Sequence, residues 1–224
     1  MSNFTICCVS RLEASVLPFL KKISDWCKET NSEFLLGVDG TPLKVESAFE
    51  FTNTVLPVKS LGYIESVLDS VIDNCTGDYI FRLDDDEFFS EGLSTWLKEN
   101  LGRFTESIYN FPRYNLWKDE KHFIPGLYPD EQIRLATKAK SYGRTVIHCG
   151  SPFGYGQRIN HEIMHYKFLI KTYEDRLKQA ESIDAIMTGS GLGSYLINNL
   201  PETFYRNIGI EVPYHEITEN QEAE

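Results

Sequence analysis

Short apolar runs rich in β-branched and aromatic residues alternate with stretches whose apolar side chains recur at helical spacing. Phe4-Thr5-Ile6-Cys7-Cys8-Val9-Ser10 reads as a buried strand ending at Arg11, and Val16, Leu20, Ile23 and Cys27 then return every three or four positions, with Pro18 early enough for a first helical turn. Glu33 to Val38 is a second strand that stops at the turn signal Asp39-Gly40-Thr41. Thr54 to Val58 gives a third, and after Gly62 the residues Ile64, Val67, Leu68, Val71 and Ile72 form a clean helical stripe, which Asn74 to Gly77 stops. Asp78 to Leu83 is a fourth strand. Strand, helix, strand, strand, helix, strand calls for an α/β fold with a mostly parallel sheet carrying helices on its faces.

In open sheets of this kind ligands bind beyond the carboxyl ends of the strands. That rule gathers Arg11, Asp39 and the Asp84 to Asp86 cluster, which Glu87 follows directly in the run, on one rim. Four consecutive carboxylates repel one another, so the run persists cheaply only where water screens it or a divalent cation neutralises it. Two readings stand: a solvated acidic turn with Ser90 as N-cap of the next helix, or a metal site built from strand-end carboxylates and a distant residue. An EF-hand loop starting at Asp84 fits poorly, because Phe88 and Phe89 take the places of an acidic ligand and the required glycine.

The chain has 224 residues, 42% of them hydrophobic, enough for a real core. Its formal net charge of −11 argues against a nucleic-acid backbone binder and against adhesion to an anionic membrane. The five cysteines, Cys7, Cys8, Cys27, Cys75 and Cys149, are odd in number, lack CxxC spacing and sit in apolar stretches, which points to reduced core filling in a cytoplasmic setting. No apolar run is long enough for a transmembrane segment, and no basic segment followed by a signal-type core opens the chain.

Four segments together resemble family 2 type glycosyltransferases of the GT-A fold, the nucleotide-diphospho-sugar transferase fold. They are the opening strand ending in Ser10-Arg11, the Val38-Asp39-Gly40-Thr41 turn, the DxD-containing Tyr79-Ile80-Phe81-Arg82-Leu83-Asp84-Asp85-Asp86-Glu87, and a downstream pair, Tyr128-Pro129-Asp130-Glu131-Gln132-Ile133-Arg134-Leu135 with Ile163-Met164-His165-Tyr166-Lys167-Phe168. The resemblance implies a glycosyltransferase domain over residues 1–180, with 181–224 as an extension packed on or trailing from it and an acidic, disordered end. It implies a nucleotide-sugar donor, a UDP-sugar first, and a saccharide acceptor whose hydroxyl attacks with inversion. Ser10, Arg11, Asp39, Asp84, Asp85 and Arg134 become donor-binding residues. Asp86 becomes the principal ligand of Mn2+ or Mg2+, with His165 or His148 as a further ligand. Asp130, then Glu131, becomes the general base. The loop after Lys59 lacks the arginine-asparagine pair of such enzymes, and nothing beyond residue 180 matches.

Two rivals come from other classes. His161-Glu162-Ile163-Met164-His165 satisfies the HExxH pattern of zinc metallopeptidases. That chemistry needs a helix placing both histidines on one face, whereas the alternation from Ile163 to Ile170 favours a strand, with a fresh helix start at Thr172 to Asp175. A non-catalytic sugar- or metal-binding module is the other rival. A nucleotidyltransferase lacks the glycine-rich basic N-terminal loop it would need. Gly189-Ser190-Gly191-Leu192-Gly193-Ser194 has no P-loop lysine and reads as a hinge. Trp96, Trp117, Tyr114 and Phe111 read as core aromatics before they read as a sugar-stacking wall.

Overall fold

The structure is a computed structural model and describes residues 4–143, 153–186 and 192–218, without the side chains of Asp184 and Gly193. Its strands are β1 (Phe4–Ser10), β2 (Glu33–Asp39), β3 (Thr54–Val58), β4 (Tyr79–Asp84), β5 (Glu87–Phe89), β6 (Ile108–Phe111), β7 (Arg113–Asn115), β8 (His122–Phe123), β9 (Gln132–Thr137), β10 (Gln157–Arg158), β11 (Ile163–His165) and β12 (His215–Glu216). Its α-helices are α1 (Leu17–Thr30), α2 (Pro42–Ser47), α3 (Glu65–Asn74), α4 (Glu91–Asn100), α5 (Lys138–Ser141), α6 (Lys167–Ile170), α7 (Tyr173–Ile186), α8 (Leu192–Asn198) and α9 (Pro201–Asn207). The chain divides into two compact units, one of Met1–Arg113 with Asp130–Met164 and one of Tyr114–Pro129 with His165–Glu224. The position that sequence resemblance marks as a boundary, between Ala180 and Glu181, falls inside α7.

The first unit is built on a seven-stranded sheet in the order β10, β6, β9, β4, β1, β2, β3. β1 pairs in parallel with both β2 and β4, and β2 in parallel with β3. The α/β fold with a mostly parallel, helix-flanked sheet is therefore the one expected. β1 is buried along its whole length, as a central strand of a parallel sheet with helices on both faces must be. Its side chains alternate between two cores. Phe4, Ile6 and Cys8 pack with Phe34, Leu36, Phe81 and the apolar stripe of α1, while Cys7 and Val9 pack with Leu35, Ile80 and the α3 stripe of Val67, Leu68, Val71 and Ile72. Period 2 in the strands and period 3.6 in the helices thus meet on both sheet faces.

Local signals end these elements where expected. α1 stops at Asn31, whose φ of 52° is left-handed, a conformation Asn tolerates at a helix C-terminus. α4 starts where the Ser90 hydroxyl accepts the Leu93 N–H at 3.1 Å. Gly77 sits where a Cβ would lie 2.7 Å from the Thr5 backbone nitrogen, so the chain can enter β4 beside β1 only without a side chain there.

β9 is inserted antiparallel between β4 and β6, with Phe81 opposite Leu135 and Tyr109 opposite Leu135 on the other side. The pairing with β6 carries a bulge between Tyr109 and Asn110. Because β9 runs against β4, its start lies at the rim where β4 ends, and residues 130 and 131 arrive beside the acidic run.

The expected strand from 163 to 170 is corrected: it ends at His165, and Lys167–Ile170 coil into a short helix. Alternation over so few residues does not separate a strand from one helical turn. The expected helix start is found, with Thr172 Oγ1 accepting the Asp175 N–H at 3.2 Å and Asp175 Oδ2 accepting the Thr172 N–H at 3.3 Å. β8 and β12 form a two-stranded antiparallel ribbon. Among the described residues no helix is long and apolar enough to cross a membrane.

Candidate functional site

All but one of the described candidate residues fall in the first unit. β1 ends in Ser10, β2 in Asp39 and β4 in Asp84, and parallel pairing in register brings these termini to one edge. At one flank the Arg11 Nε donates to Asp39 Oδ2 at 3.2 Å. Ser60, just past the end of β3, donates its hydroxyl to the same oxygen at 2.6 Å. Burial works to raise the Asp39 carboxyl, but the hydrogen bonds from Ser60 and Arg11 prevail and hold it below its ordinary value. Ser60 had no signal in the sequence beyond its position after a strand.

The acidic run divides into members with different fates. The Ser10 hydroxyl donates to Asp85 Oδ2 at 2.6 Å, and Ser10 itself is buried. Asp84 Oδ2 accepts from Arg134 Nη2 at 2.6 Å, with Arg82 3.8 Å from its other oxygen. Asp86 is buried, with 7% exposure. The three charges are felt together at Cys8, whose thiol is pushed well up by burial first and then by Asp85, Asp84 and Asp86.

Glu87, in the reading of the run as a solvated turn, belongs to open water. The structure corrects this: Glu87 is fully buried at the head of β5. Its Oε1 accepts from Arg113 Nη1 and from Arg134 Nη2, each at 2.6 Å. Its Oε2 accepts the Asp84 backbone N–H at 3.1 Å. Burial first and Asp84 second push the Glu87 carboxyl upward, and the Arg113 guanidinium beside it pulls the other way.

Arg113 also donates through Nε to Asp130 Oδ2 at 2.9 Å, and Gln132 Nε2 donates to Asp130 Oδ1 at 2.7 Å. Glu131 accepts from Asn110 Nδ2 at 2.9 Å and from Arg158 Nε at 2.6 Å. The irregularity between β6 and β9 leaves Arg134 as the extra residue on β9, since Tyr109 faces Leu135 and Asn110 faces Ile133, the kind of bulge that re-aims a side chain beside a site. The structure thus brings Asp84, Arg134 and Asp130 into one hydrogen-bonded set, with Glu87 and Arg113 as members that sequence reasoning missed. Arg134 is at 1% side-chain exposure, with its Nη2 turned to two carboxylates.

His165 belongs to the second unit, where it is buried with Nδ1 2.7 Å from Asn115 Oδ1. His148 lies outside the described residues, as does the segment 187–191 of the expected hinge. Residues 161 and 162 are not helical and 163–165 are a strand, so the helix that a zinc-peptidase HExxH site needs is not formed. Phe111 and Tyr114 are buried, and Trp96 packs against Phe104, Tyr109 and Phe111, as core aromatics do.

Among the described residues no three His, Cys, Asp or Glu side chains form a complete ion-binding group. Mg2+ and cations like it do not require one: they are commonly held by one or two carboxylates plus waters and substrate phosphates.

No protein-family model matches the chain, and no curated protein matches it. Among solved structures, S. aureus TarS aligns at a TM-score of 0.48 and 12% identity over 94% of this chain, which spans 44% of that TarS chain. TarS 1-349 in complex with UDP-GlcNAc aligns at 0.44 and 10%, covering 94% of this chain and 74% of that one. HddC from Yersinia pseudotuberculosis aligns at 0.47 and 7%, covering 82% of this chain and 100% of that one. A glycosyltransferase involved in the glycosylation of the major capsid of PBCV-1 aligns at 0.40 and 10%, covering 82% and 98%.

Proposed function

We propose that the chain is a glycosyltransferase with the GT-A architecture, moving a sugar from a nucleotide-diphosphate sugar, a UDP-sugar first, to a saccharide hydroxyl. The observation that carries this reading is the convergence, on the carboxyl edge of a mostly parallel sheet, of Ser10, Arg11, Asp39 and Asp84–Asp86 with the Asp130–Glu131 pair. The edge is where such sheets take ligands, and an anionic donor meets an acidic rim only with help from cations.

Mn2+ or Mg2+, held by Asp86 with the neighbouring carboxylates, would neutralise charge on the departing diphosphate. The chain's own residues do the rest. Asp39, kept ionised by Ser60 and Arg11, is an acceptor for donor N–H or O–H groups. Asp130 is the first choice for the base that takes the acceptor proton, with Glu131 second. Both carboxylates are part-buried and already oriented by hydrogen bonds, which limits the motion needed before transfer. In-line attack from the face opposite the diphosphate gives inversion. We place the protein in the cytoplasm on the four free, buried cysteines among the described residues.

Calorimetric titration with UDP-sugars in the presence and absence of Mn2+ tests the reading. Asp86→Ala is expected to abolish Mn-dependent donor binding and hydrolysis; unaltered binding would remove the assignment. Asp130→Asn is expected to keep donor binding and lose transfer, and if Glu131→Gln shows that pattern instead, the base is Glu131.

A further inference from the structure

We propose that Glu87 is a positioning residue that ties the donor-side carboxylate Asp84 to the acceptor-side carboxylate Asp130, by way of Arg134 and Arg113. The proposal rests on the function given above for these two aspartates. Five side chains form one line of alternating charge: Asp84, Arg134, Glu87, Arg113, Asp130. Its ends are in reach of solvent, Asp84 at 32% and Asp130 at 30% side-chain exposure, while Arg134 at 1%, Glu87 at 0% and Arg113 at 15% form a drier middle. A substrate can meet the ends; the middle serves only to hold them.

The geometry at Glu87 makes it the keystone of the line. A single oxygen, Oε1, receives both guanidinium groups at 2.6 Å. The other oxygen receives the backbone N–H of Asp84 itself at 3.1 Å, so the turn that carries the acidic run is pinned to the same carboxylate. Arg113 spreads its contacts over the guanidinium fork, Nη1 to Glu87 and Nε and Nη2 to Asp130, a geometry that lysine, a point charge, does not reproduce, whereas Arg134 meets both Asp84 and Glu87 through Nη2 alone. Without Glu87 each arginine loses its inner anchor and keeps its outer contact, Arg134 to Asp84 and Arg113 to Asp130. Sequence gave no hint of this, because Glu87 is separated from Arg113 by 26 positions and from Arg134 by 47.

The test uses the full chain with a UDP-sugar donor found in the binding titration above, and measures kcat, donor KM and donor affinity alongside thermal midpoints, with rates taken per folded molecule. Arg113→Lys acts on the acceptor side alone: kcat is expected to fall at least tenfold with donor affinity within twofold of the parent. Arg134→Met, which removes the cation and keeps the bulk of the stem, acts on the donor side: donor affinity is expected to weaken several-fold. Glu87→Gln is expected to show both defects, and Glu87→Asp, which restores charge but not reach, to repair neither fully. If Glu87→Gln and Arg113→Lys lower the thermal midpoint and leave kcat and donor affinity unchanged, the residues are merely structural and the proposal is overturned. Should Glu87→Gln fail to fold, the two arginine variants decide by the same criteria.

Failure of the functional reading shows separately, as a parent protein that neither binds nor hydrolyses any nucleotide sugar with Mn2+. In that case the tie is read from urea unfolding of Arg113→Lys, Arg134→Met and the double variant. Non-additive midpoints support a line joined through Glu87, and additive midpoints overturn it.

Discussion

Arg134→Met measures how much of the first unit hangs on the buried charge line. The guanidinium has 1% side-chain exposure and touches Glu87, at 0%, and Asp84, at 32%. Two unit charges about 4 Å apart at an effective dielectric of about 20 attract by about 4 kcal/mol, before the cost of drying them is counted. Removing one member of a buried pair costs about 3–5 kcal/mol when the other is left uncompensated, and because Arg113 still holds Glu87 Oε1 the lower end applies. The Asp84 contact is partly wet and adds under about 1 kcal/mol, and methionine refills the space of the arginine stem, so little is lost to a cavity. With a urea m-value of about 2–3 kcal/mol/M, the midpoint should fall by about 1–2 M. Arg134→Met/Glu87→Gln should be less damaged than the sum of the single changes by about 1–3 kcal/mol, since the two changes remove the same contact and the second also removes a buried acid left with one guanidinium in place of two. Urea unfolding followed by circular dichroism and tryptophan fluorescence reads both quantities. A midpoint shift below about 0.3 M at constant m, or simple additivity, would refute the claim that the pair is dry and mutually dependent.

Three further outcomes are expected. Gly77→Ala places a methyl group 2.7 Å from the Thr5 backbone nitrogen; relief requires β1 and β4 to part locally, at about 1–3 kcal/mol, and a differential scan should show a thermal midpoint several degrees lower. Asp39→Asn should cost under about 1 kcal/mol at neutral pH, because the Arg11 partner is at 49% side-chain exposure. Asp39 is held below its ordinary value, so its contribution is present above the ordinary carboxylate range and is lost as pH falls through the lowered value; thermal midpoints of parent and variant should converge on acidification. Leu20→Ala, at a position with 0% exposure in the core beneath α1, should cost about 2–5 kcal/mol in urea unfolding without altering Mn-dependent donor binding at the far rim.

The amino-acid sequence by itself determined the α/β layering and the placement of an acidic rim. Those properties come from periodicity, which is local: β1 alternates Ile6 and Cys8 against Cys7 and Val9, α1 and α3 repeat at helical spacing, and the run Asp84–Asp86 follows an apolar strand directly. Ser90, Thr172 and Asn31 act within three or four residues, so their capping roles were equally open to a linear reading or follow from short-range chemistry. Only the tertiary structure decided that Glu87 leaves the acidic run for the interior, that β9 enters antiparallel and delivers Asp130 and Glu131 to the rim, and that pairing stops at His165 instead of continuing to Ile170. A carboxylate next to three others looks solvated in one dimension. It can be buried only because two guanidinium groups, brought by strands distant in the chain, neutralise it in three.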